Sequence, residues 1–399
     1  MSRLTVKDVN FKDKRVLIRV DFNVPVDDRG RISNDHRIVS SLPTIKKVLS
    51  DGGSVICMSH LGRPKGEGYE EKFSLKPVQE RLGELLDRDV KFAPDCVGDK
   101  AAERAAELKP GEILLLENLR FHKEEKKNDP EFAKKLASLA DAYVNDAFGT
   151  SHRAHASTVG VTKYFDKVVS GLLLEKELIY LKDKLEDPAR PYTAILGGAK
   201  ISGKIDTIRH LMDKVDNLLV GGGMIFTFYK AMGYGIGDSL LEEDKVELAK
   251  ELLEAAEDSK SRFVLPVDVV TAKKFENDAL STIVDVDEIP DDQIGMDIGP
   301  RTVKQFREVI QSSKTILWNG PMGVFEMPNF AKGTEKICEA VAEATDKGAV
   351  SLVGGGDSAS AVKKLGFSDR ISHVSTGGGA SLELISGLTL PAVAEISKK

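Results

Sequence analysis

The sequence predicts an α/β protein of two domains, each built on a parallel β-sheet flanked by helices in a Rossmann-like arrangement. The chain has 399 residues, which is more than one hydrophobic core usually serves. Short runs of Val, Ile and Leu alternate along it with longer segments of helical periodicity. These runs are apolar throughout, which is typical of strands that are buried on both faces of a parallel sheet.

The predicted strands fall into two groups, and helices are expected between them. One helix is predicted to begin at Pro130, because Asp129 can cap it and proline suits the first helical position. The strands of the first half are residues 16–20, 54–58, 113–116 and 142–144. Those of the second half are residues 193–196, 217–220, 263–266, 315–318 and 350–353.

The best candidate for a domain boundary is the segment 171–192. Leu174, Leu178, Leu181 and Leu185 form a helical stripe there, which ends in the proline-containing residues 187–191. We expect an N-terminal domain over residues 1–170, an interdomain helix over 171–190 and a C-terminal domain over 191–379. The domains would be separated by a cleft, with the helix as a hinge. An ordinary surface helix inside one domain is the alternative.

Composition excludes several classes of protein. The 63 acidic residues exceed the 57 basic ones, giving a net charge of −6, which argues against binding to nucleic acid by counterion release. The three cysteines, Cys57, Cys96 and Cys338, fit neither a disulfide framework nor a zinc pattern, and we interpret them as ordinary core or surface thiols. No apolar run is long enough for a signal peptide or a membrane span. We therefore expect a cytoplasmic protein.

Basic side chains follow the predicted strands of the first half. The carboxyl ends of parallel strands meet at one edge of a sheet, where ligands bind in such folds. Arginine binds carboxylate and phosphate in bidentate fashion, so arginines that converge there predict a pocket for a small, multiply anionic ligand. Solvated surface arginines are the alternative. The residues are Asp21, Asn23, His60, Arg63, Arg120, His152 and Arg153, with Arg37 from a loop.

Glycines follow the predicted strands of the second half. Glycine lets the backbone approach a ligand closely and presents N–H groups to phosphates. Four such loops predict a nucleotide site, beside which Asp357 could meet a hard cation such as Mg²⁺. Alternatively, Asp357 and Ser358 could cap the next helix, and Glu326 could be a sugar acceptor or a solvated carboxylate. The glycines are Gly197, Gly198, Gly221, Gly222, Gly223, Gly320, Gly354, Gly355 and Gly356.

Seven segments at these strand ends match the motifs of one known family, in the family's order. They are VLIRVDFNVP (16–25), SHLGRP (59–64), LENLRF (116–121), NDAFGTSHRAHAS (145–157), GGAKISGKI (197–205), WNGPMGVFE (318–326) and GGGDS (354–358). Together they resemble phosphoglycerate kinase and extend over nearly the whole chain. The resemblance implies reversible transfer of the acyl phosphate of 1,3-bisphosphoglycerate to ADP in glycolysis and gluconeogenesis, giving 3-phosphoglycerate and ATP.

The resemblance further implies Mg²⁺ as cofactor, a monomer, closure of the two domains, and a tail of about residues 380–399 that returns to the N-terminal domain. Catalytic roles would fall to Arg37, Lys200, Lys204 and Gly378. Phosphoglycerate would be held by Asp21, Phe22, Asn23, Arg37, His60, Leu61, Gly62, Arg63, Arg120, His152 and Arg153. The nucleotide would be held by Gly198, Lys200, Lys204, Gly222, Gly223, Gly295, Asn319, Pro321, Gly323, Val324, Glu326, Gly354, Gly355, Gly356, Asp357 and Ser358, with Asp357 as the metal ligand.

The implied chemistry needs no general base. In the ATP-forming direction the substrate leaves as a carboxylate, and in the reverse direction that carboxylate is already an anionic nucleophile. Positioning and charge stabilisation must therefore carry the reaction. Lys200 and Lys204, with Arg37, could neutralise the equatorial oxygens of the transferred group, and glycine N–H groups would add fixed dipoles.

The segment LGGAKISGKID (196–206) also contains the spacing of a P-loop, with Gly198, Gly203 and Lys204 in its G-x-x-x-x-G-K frame. The next residue is Ile205, where that motif needs Ser or Thr to ligate Mg²⁺. We interpret the frame as coincidental and assign metal ligation to Asp357. Four features depart from the phosphoglycerate kinase pattern. Gly203 stands where an acidic or small polar residue is usual, Ile294 where tryptophan is common, and Ser358 in place of threonine. The segment GLTLPAV (387–393) stands in place of a more typical GKxLPGV.

Two other functions fit parts of the sequence. Glycine-rich strand ends also suggest a dinucleotide-dependent dehydrogenase, but neither half begins with G-x-G-x-x-G and an acidic residue about 20 positions on. A scaffold that has lost its chemistry is the non-enzyme alternative, against which Arg37, Lys200 and Asp357 argue. His152 and His155 could contact phosphate or could serve packing and capping. The sequence contains no zinc-hydrolase histidine pair and no Gly-x-Ser-x-Gly elbow.

Overall fold

Two six-stranded parallel sheets organise the chain, one in each of two units. The computed structural model describes residues 3–27 and 29–399. Unit 1 consists of Met1–Ile179 and Thr389–Lys399, and unit 2 is Tyr180–Leu388. The chain thus passes between units inside the segment 171–190 expected to be the connector. The tail that belongs to unit 1 starts at Thr389 and not near residue 380, because the preceding helix packs within unit 2.

Unit 1 contains β1 (Arg15–Arg19), β2 (Ser54–Met58), β3 (Val90–Ala93), β4 (Ile113–Leu116), β5 (Ala142–Asn145) and β6 (Val168–Ser170). Their order in the sheet is β3-β4-β2-β1-β5-β6, so the chain continues from β1 to β2 on one side and places β5 on the other. Such a reversal point opens a crevice for ligands. The four predicted strands are confirmed to within one residue at each end, whereas the short β3 and β6 were not predicted.

The helices of unit 1 cover the two faces of its sheet, and Ile18, Ile45 and Cys57 lie in the core between them. The predicted start at Pro130 is confirmed, since Oδ1 of Asp129 accepts a 2.9 Å hydrogen bond from the N–H of Phe132. The α-helices are His36–Ser50, Lys76–Leu86, Asp99–Ala106, Lys123–Lys127, Pro130–Ala137, Leu172–Leu178 and Pro391–Ala394. The 3₁₀ turns are Val6–Asp8, Glu71–Phe73, Leu119–Phe121, Phe148–Thr150 and Gly160–Tyr164.

The C-terminal tail is held in unit 1 by backbone hydrogen bonds. The N–H of Leu4 donates to the carbonyl of Ser397 at 2.8 Å, and the N–H of Ser397 donates to Val168 at 3.0 Å. The N–H of Ala392 donates to the carbonyl of Ser151 at 3.1 Å. These contacts extend the edge of the sheet at β6 and fix the last residues of the chain beside it.

Unit 2 contains nine strands in two sheets. They are β7 (Tyr192–Leu196), β8 (Asn217–Val220), β9 (Arg262–Val264), β10 (Asp268–Ala272), β11 (Ser281–Asp285), β12 (Ile294–Ile298), β13 (Thr315–Asn319), β14 (Val350–Gly354) and β15 (His373–Val374). The parallel sheet has the order β15-β14-β13-β7-β8-β9, and its reversal point lies between β7 and β13. Leu196, Asn319 and Gly354 are in register, so the loops after β7, β13 and β14 meet at one edge.

The second sheet of unit 2 is an addition that the sequence did not predict. It has the order β11-β10-β12, and both pairings are antiparallel. Most of β11 is exposed, with Ile283 57% exposed, so the strand lacks the apolar run by which buried strands were recognised. The predicted strand 263–266 is also shorter, ending at Val264.

The helices of unit 2 pack around a core that includes Trp318, Ile195 and Phe306. The helix that begins at Gly356 has Gly355 as its N-cap and no side-chain cap, so the hypothesis that Asp357 and Ser358 cap it is wrong. The α-helices are Lys184–Glu186, Ile205–Met212, Ile225–Ala231, Val246–Asp258, Pro300–Ser312, Lys332–Asp346, Gly356–Lys364 and Gly379–Ile385. The 3₁₀ turns are Glu243–Lys245, Pro328–Phe330 and Ser368–Arg370.

The expected connector is helical but not uniform. The α-helix Leu172–Leu178 continues into a π-helical segment, Ile179–Asp183, and ends in the short α-helix Lys184–Glu186. Leu174, Leu178 and Leu181 of the predicted stripe are buried, whereas Leu185 is only half-buried. The helix therefore ends a few residues before the predicted limit at 190.

The cysteines agree with the sequence-based interpretation, since Cys57, Cys96 and Cys338 are all buried and free. Burial raises the pKa of each thiol, and Cys338 reaches about 12. Within the described residues, no helix combines the length and apolarity that crossing a membrane requires.

Candidate functional site

The side chains predicted to bind an anion in unit 1 lie at the carboxyl end of its sheet. Asp21 and Asn23 follow β1, His60 follows β2, and Arg120 follows β4. Arg37 comes from the first turn of the helix after β1, and its Nη1 donates a 2.7 Å hydrogen bond to Oδ2 of Asp21. Parallel pairing of the strands places their ends together, as the sequence predicted.

Arg120 is the most informative of these side chains because it is 4% exposed. Burial, with the positive charges of Arg19 and Arg153, lowers its pKa to about 10, so it stays charged at neutral pH. Its Nη1 donates a 2.8 Å hydrogen bond to the carbonyl of Gly62. Its buried Nε and Nη2 have no partner among the described residues. Buried donors are almost always paired, so these two N–H groups indicate a place for an anionic ligand.

His60 is equally buried and is uncharged. Burial lowers its pKa well below the ordinary value, and the positive charges of Arg19, Arg120, Arg37 and Arg153 lower it further. A neutral imidazole beside several guanidinium groups can act only as a hydrogen-bonding group there. It does not add a positive charge of its own to the pocket.

The loop after β2 is shaped by hydrogen bonds from two asparagines. The N–H of Gly62 donates to Oδ1 of Asn23 at 2.8 Å, and Nδ2 of Asn118 donates to the carbonyl of Leu61 at 2.8 Å. Gly62 has a φ of +63°, and a Cβ there would overlap the ring of Phe73. Only glycine therefore fits this turn, which brings the Gly62 carbonyl to Arg120.

Other predicted residues of unit 1 differ in exposure. Phe22 and Leu61 are buried, so their side chains serve the core, whereas Arg63 is exposed and has no side-chain partner in the described residues. Arg153 is exposed, and its Nε lies 3.1 Å from Nε2 of His152. Burial and the charge of Arg153 lower the pKa of His152, and the buried Nδ1 of this ring has no partner among the described residues.

In unit 2, partly buried Lys204 and buried Asn319 form a polar pair near the ends of the central strands. The Lys204 ammonium donates a hydrogen bond to Oδ1 of Asn319, and burial lowers the pKa of this lysine to about 8. Nδ2 of Asn319 is buried without a partner in the described residues. Oγ of Ser358 accepts a 2.6 Å hydrogen bond from the N–H of Gly320. A threonine hydroxyl could make the same bond, so Ser358 keeps the contact that a threonine would make at this position.

The glycine loops of unit 2 are joined to one another by backbone hydrogen bonds. The N–H of Gly198 donates to the carbonyl of Pro321 at 2.9 Å, and the N–H of Gly222 donates to that of Met322 at 3.1 Å. Gly222 has a φ of +72°, and a Cβ there would overlap the backbone of Gly198. By contrast, a Cβ at Gly203 would have no neighbour within 4 Å among the residues that the structure describes. The second glycine of the P-loop frame is thus not packed against another described segment.

These loops form one side of a cavity of about 510 Å³ in unit 2. Its apolar wall includes Phe226, Leu240 and Met296, and its polar edge includes Glu326 and Asp357. Such a cavity, mostly apolar with a few polar groups, is the usual form of a small-molecule site. The predicted nucleotide residues that line it are Gly198, Gly222, Gly223, Gly295, Pro321, Gly323, Val324, Glu326 and Asp357.

Known proteins that are similar to this chain in sequence or in fold are described as phosphoglycerate kinases. The family model described as phosphoglycerate kinase matches residues 6–388. The chain is 58% identical to the phosphoglycerate kinase of Chloroherpeton thalassium and 55% identical to that of Thermosynechococcus vestitus, with at least 99% of each chain covered. The chain belongs to the phosphoglycerate kinase family.

Solved structures of the phosphoglycerate kinase family agree with this assignment. That of phosphoglycerate kinase from Coxiella burnetii has a TM-score of 0.88 and 41% identity, and covers 99% of this chain and 98% of its own. That from Pyrococcus horikoshii has a TM-score of 0.85 and 34% identity, with 98% of both chains covered. The predictions of fold class, family and enzyme class are therefore confirmed. The dehydrogenase and scaffold alternatives gain no support.

Several residues predicted from the phosphoglycerate kinase resemblance do not line the cavity. Lys200 is exposed, and Gly378 has a φ of +51° with open space around it, just before the helix Gly379–Ile385. Lys204 and Asn319 form the polar pair described above, and Ser358 accepts the hydrogen bond from Gly320. The glycines Gly354, Gly355 and Gly356 form the loop between β14 and the next helix, where a Cβ at Gly355 would lie 3.2 Å from Nδ2 of Asn319.

The sequence did not identify Asp297, a buried carboxyl that lines the cavity. Its Oδ2 accepts a 2.6 Å hydrogen bond from the N–H of Gly333, and its Oδ1 accepts one of 2.9 Å from Ile298. Burial raises its pKa to about 7. A lone acid in the apolar segment IGMDIGP is a signal that could have been noticed. In unit 1, the charge of Arg19 inside the apolar run VLIRV is a similar signal.

One group of potential metal ligands lies elsewhere in unit 1. Asp95, Cys96 and His122 have ligand atoms within 4.8 Å of one another. Oδ1 of Asp95 is 2.7 Å from Nε2 of His122 and also accepts the N–H of Cys96. Burial raises the pKa of the Cys96 thiol well above its ordinary value, so the thiolate that metals prefer is disfavoured. We interpret the group as a hydrogen-bonded cluster.

Proposed function

We propose that the two units divide the phosphoglycerate kinase reaction between them, with phosphoglycerate bound in unit 1 and the adenine nucleotide in unit 2. The reaction is the reversible transfer of the acyl phosphate of 1,3-bisphosphoglycerate to ADP, which gives 3-phosphoglycerate and ATP in glycolysis. The observation that carries the assignment of unit 1 is Arg120, a buried cation whose Nε and Nη2 have no partner in the described part of the chain. The cavity with its glycine loops supports the assignment of unit 2.

In unit 1, the ligand would be held mainly by charge. Arg37, held by Asp21, would meet the carboxyl end, while Arg120, with Arg63 and Arg153, would meet the phosphate. Neutral His60 would add a hydrogen bond. Since the nucleophile in the ATP-consuming direction is a carboxylate, none of these groups needs to remove a proton.

In unit 2, the apolar wall of the cavity would hold the adenine base, and Glu326 would accept hydrogen bonds from the ribose. The loops after β7 and β14 would present N–H groups to the phosphates. Lys204 and exposed Lys200 would neutralise charge on the transferred group in the transition state, together with Arg37. The catalytic role of Gly378 rests on the family resemblance and the absence of a side chain at that turn.

The residues of unit 2 fit a Mg²⁺ site of the kind that takes most of its ligands from phosphates and water. Asp357 is exposed, lines the cavity and forms no hydrogen bond or ion pair among the described residues. Ile205 offers no ligand atom, which agrees with a coincidental P-loop frame. When bound, Mg²⁺ would neutralise negative charge on the nucleotide phosphates. Asp357 would hold it there through a single carboxylate.

Transfer requires the two ligands to meet, so we include closure of the two units about the segment 171–190 in the proposal. The π-helical turn Ile179–Asp183 lies at the point where the chain leaves unit 1 and supports this segment as the hinge. Closure would exclude water and protect the acyl phosphate from hydrolysis. We also propose that the protein is a monomer in the cytoplasm. Light scattering in solution tests the oligomeric state, and we expect a molecular mass of 43.5 kDa.

A coupled assay tests this function. The purified protein is mixed with 3-phosphoglycerate, ATP and Mg²⁺, and formation of 1,3-bisphosphoglycerate is followed through the oxidation of NADH by glyceraldehyde-3-phosphate dehydrogenase. We expect turnover that requires all three components. No turnover at any Mg²⁺ concentration, with the protein folded by circular dichroism, would contradict the proposed function.

A further inference from the structure

A fully buried arginine that the site described above does not use lies directly behind His60. Arg19 is the last residue of β1, is 0% exposed, and pairs in register with Met58 of β2 and Asn145 of β5. It therefore occupies the reversal point of the sheet, beneath the edge at which the predicted anion-binding residues gather. A buried charge at such a point must be balanced and hydrogen-bonded to be tolerated.

The charge of Arg19 is balanced through a hydroxyl group. Nε of Arg19 donates a 2.8 Å hydrogen bond to Oγ of Ser157, and that hydroxyl donates a 2.6 Å bond to Oε1 of Glu125. The N–H of Ser157 donates to the other carboxylate oxygen at 2.9 Å. Nη1 of Arg19 donates to the carbonyl of Val20. These contacts hold the guanidinium in one orientation and leave Nη2 for another partner.

That partner is Nδ1 of His60, 3.3 Å from Nη2 of Arg19. A guanidinium group has only donors, so the ring nitrogen that faces it must accept, and a neutral imidazole then carries its proton on Nε2. No group in the described part of the chain pairs with this Nε2. Asp21 is the competitor, because its Oδ1 lies 3.9 Å from the same Nδ1 and would attract a proton there.

We propose that Arg19 is a positioning residue for phosphoglycerate, which fixes His60 as the neutral tautomer whose Nε2–H is free to donate to the anionic ligand. The inference rests on the proposed binding of phosphoglycerate in unit 1. The charged groups around His60 agree with it. The carboxylate of Asp21 lies 3.9 Å from the ring, whereas the positive charges of Arg19, Arg37, Arg120 and Arg153 oppose a second proton.

The first test uses the unmodified protein. Two-dimensional ¹⁵N–¹H spectra of histidine-labelled protein distinguish the two neutral tautomers from the imidazolium, and comparison with His60→Gln identifies the signals of His60. We expect the Nε2–H tautomer from pH 6 to pH 8. An Nδ1–H tautomer, or an imidazolium at pH 7, would overturn the proposal.

The second test removes the donor with Arg19→Met. We expect the KM for 3-phosphoglycerate to rise about tenfold at pH 8, with the KM for ATP and kcat changed less than about twofold, because one hydrogen bond to a charged ligand is weakened. Lowering the pH toward 6 should partly restore the KM of this variant, since His60 then takes a proton. The unmodified protein should show no such dependence, and a purely structural role of Arg19 would not produce one.

Arg15→Met is the matched control. Arg15 lies on the same strand, but its guanidinium pairs with Asp141 at 2.9 Å near the surface, so the KM for 3-phosphoglycerate should not change. Arg19→Lys, which keeps the charge, covers the case in which Arg19→Met does not fold, and we expect it to raise the same KM. An unchanged KM in a folded Arg19 variant would refute the inference. Absence of 3-phosphoglycerate binding to the unmodified protein by calorimetry would instead refute the proposed function of unit 1.

Discussion

Nη1 of Arg37 donates a 2.7 Å hydrogen bond to Oδ2 of Asp21, a carboxylate that is itself almost fully buried. The arginine is about one-third exposed, with a side-chain exposure of 33%. Asp21 thus holds one nitrogen of the guanidinium and leaves the rest of the group available for a ligand. This hydrogen bond joins the helix after β1 to the carboxyl end of the sheet.

Arg37→Met should lower kcat/KM for 3-phosphoglycerate by about 10²- to 10³-fold, the usual effect of removing one donor from a charge-stabilising site. The loss arises because the substitution removes the guanidinium group that Asp21 holds in this position. Steady-state kinetics in the coupled assay measure it. Arg31→Met is the control, since Arg31 forms an exposed ion pair with Asp27. Equal activity of the two variants would show that Arg37 does not contact the reacting groups.

Binding of ADP should draw a proton onto Lys204 at alkaline pH. The pKa of free Lys204 is lowered to about 8 by burial, and bound phosphates would raise it, so a neutral lysine takes up a proton when the nucleotide binds above pH 8. Calorimetry of ADP binding at pH 8.5 in buffers of different ionisation enthalpy measures the uptake. We expect a positive slope for the protein and none for Lys204→Met. An unchanged slope of the binding enthalpy against the buffer ionisation enthalpy in Lys204→Met would show that another group takes up the proton.

Titration of Asp146 should lower the free energy of unfolding as the pH rises from about 4 to about 7. Burial raises its pKa from 3.8 to about 7, so in that range the native state binds more protons than the unfolded state. Its Oδ1 accepts the N–H groups of Leu173 and Leu174, whereas its Oδ2 has no partner in the described residues. Asp146→Asn cannot titrate, so its melting temperature relative to the unmodified protein should be higher at pH 8 than at pH 5.

The control for this comparison is Asp141→Asn. The ion pair with Arg15 lowers the pKa of Asp141 below its ordinary value, so the group stays charged in both states between pH 5 and pH 8. The relative melting temperature of this variant should therefore be the same at both pH values. A pH-independent effect of Asp146→Asn would contradict a raised pKa at Asp146.

Gly295→Ala should raise the KM for ATP about tenfold or more and leave the KM for 3-phosphoglycerate unchanged, as expected when a side chain intrudes on a packed site. A Cβ at Gly295 would overlap the ring of Phe226, which lines the same cavity. Either the ring or the β12 backbone must move. Gly235→Ala is the control, because a Cβ there has no neighbour within 4 Å. Equal increases of the KM for ATP and the KM for 3-phosphoglycerate would contradict binding of the nucleotide in this cavity.

Asp357→Asn should raise the Mg²⁺ concentration needed for half-maximal activity by about tenfold, because a carboxylate is exchanged for a weaker neutral ligand. Binding of ADP without Mg²⁺ should be unchanged or slightly tighter, since a negative charge near the phosphates is removed. Titration of the coupled assay with Mg²⁺ measures the first effect and calorimetry the second. Asp369→Asn, an exposed acid outside the cavity, should change neither.

Much of the fold was predictable because its central strands are buried on both faces. Runs such as Ile113–Leu116 and Asn217–Val220 contain little else than large apolar residues, and the structure has strands at those bounds. The strand ends then pointed to most of the residues that we propose for the anion and nucleotide sites. The antiparallel sheet was missed since Ser281–Asp285 is largely exposed and lacks such a run. The short strand Val168–Ser170 offered too few residues to show a pattern.

The residues that support the proposed sites were harder to find in the sequence than those proposed to contact the ligands. Arg19 and Asp297 each lie as a single charge within an apolar segment, and only the three-dimensional structure shows what each one touches. The same holds for Asn118, whose amide joins the loop after β2 to the turn after β4. Contacts of this kind join residues far apart in the chain, so neither periodicity nor motif spacing reveals them.

A crystal structure of the unmodified protein with 3-phosphoglycerate and Mg·ADP tests the division of ligands between the units most directly. We expect an anionic group of 3-phosphoglycerate against Nε and Nη2 of Arg120, within reach of Nε2 of His60. The nucleotide should occupy the cavity beside Glu326, with its phosphates toward Lys204. Phosphoglycerate bound away from Arg120, or ADP bound outside the cavity, would contradict the proposed sites.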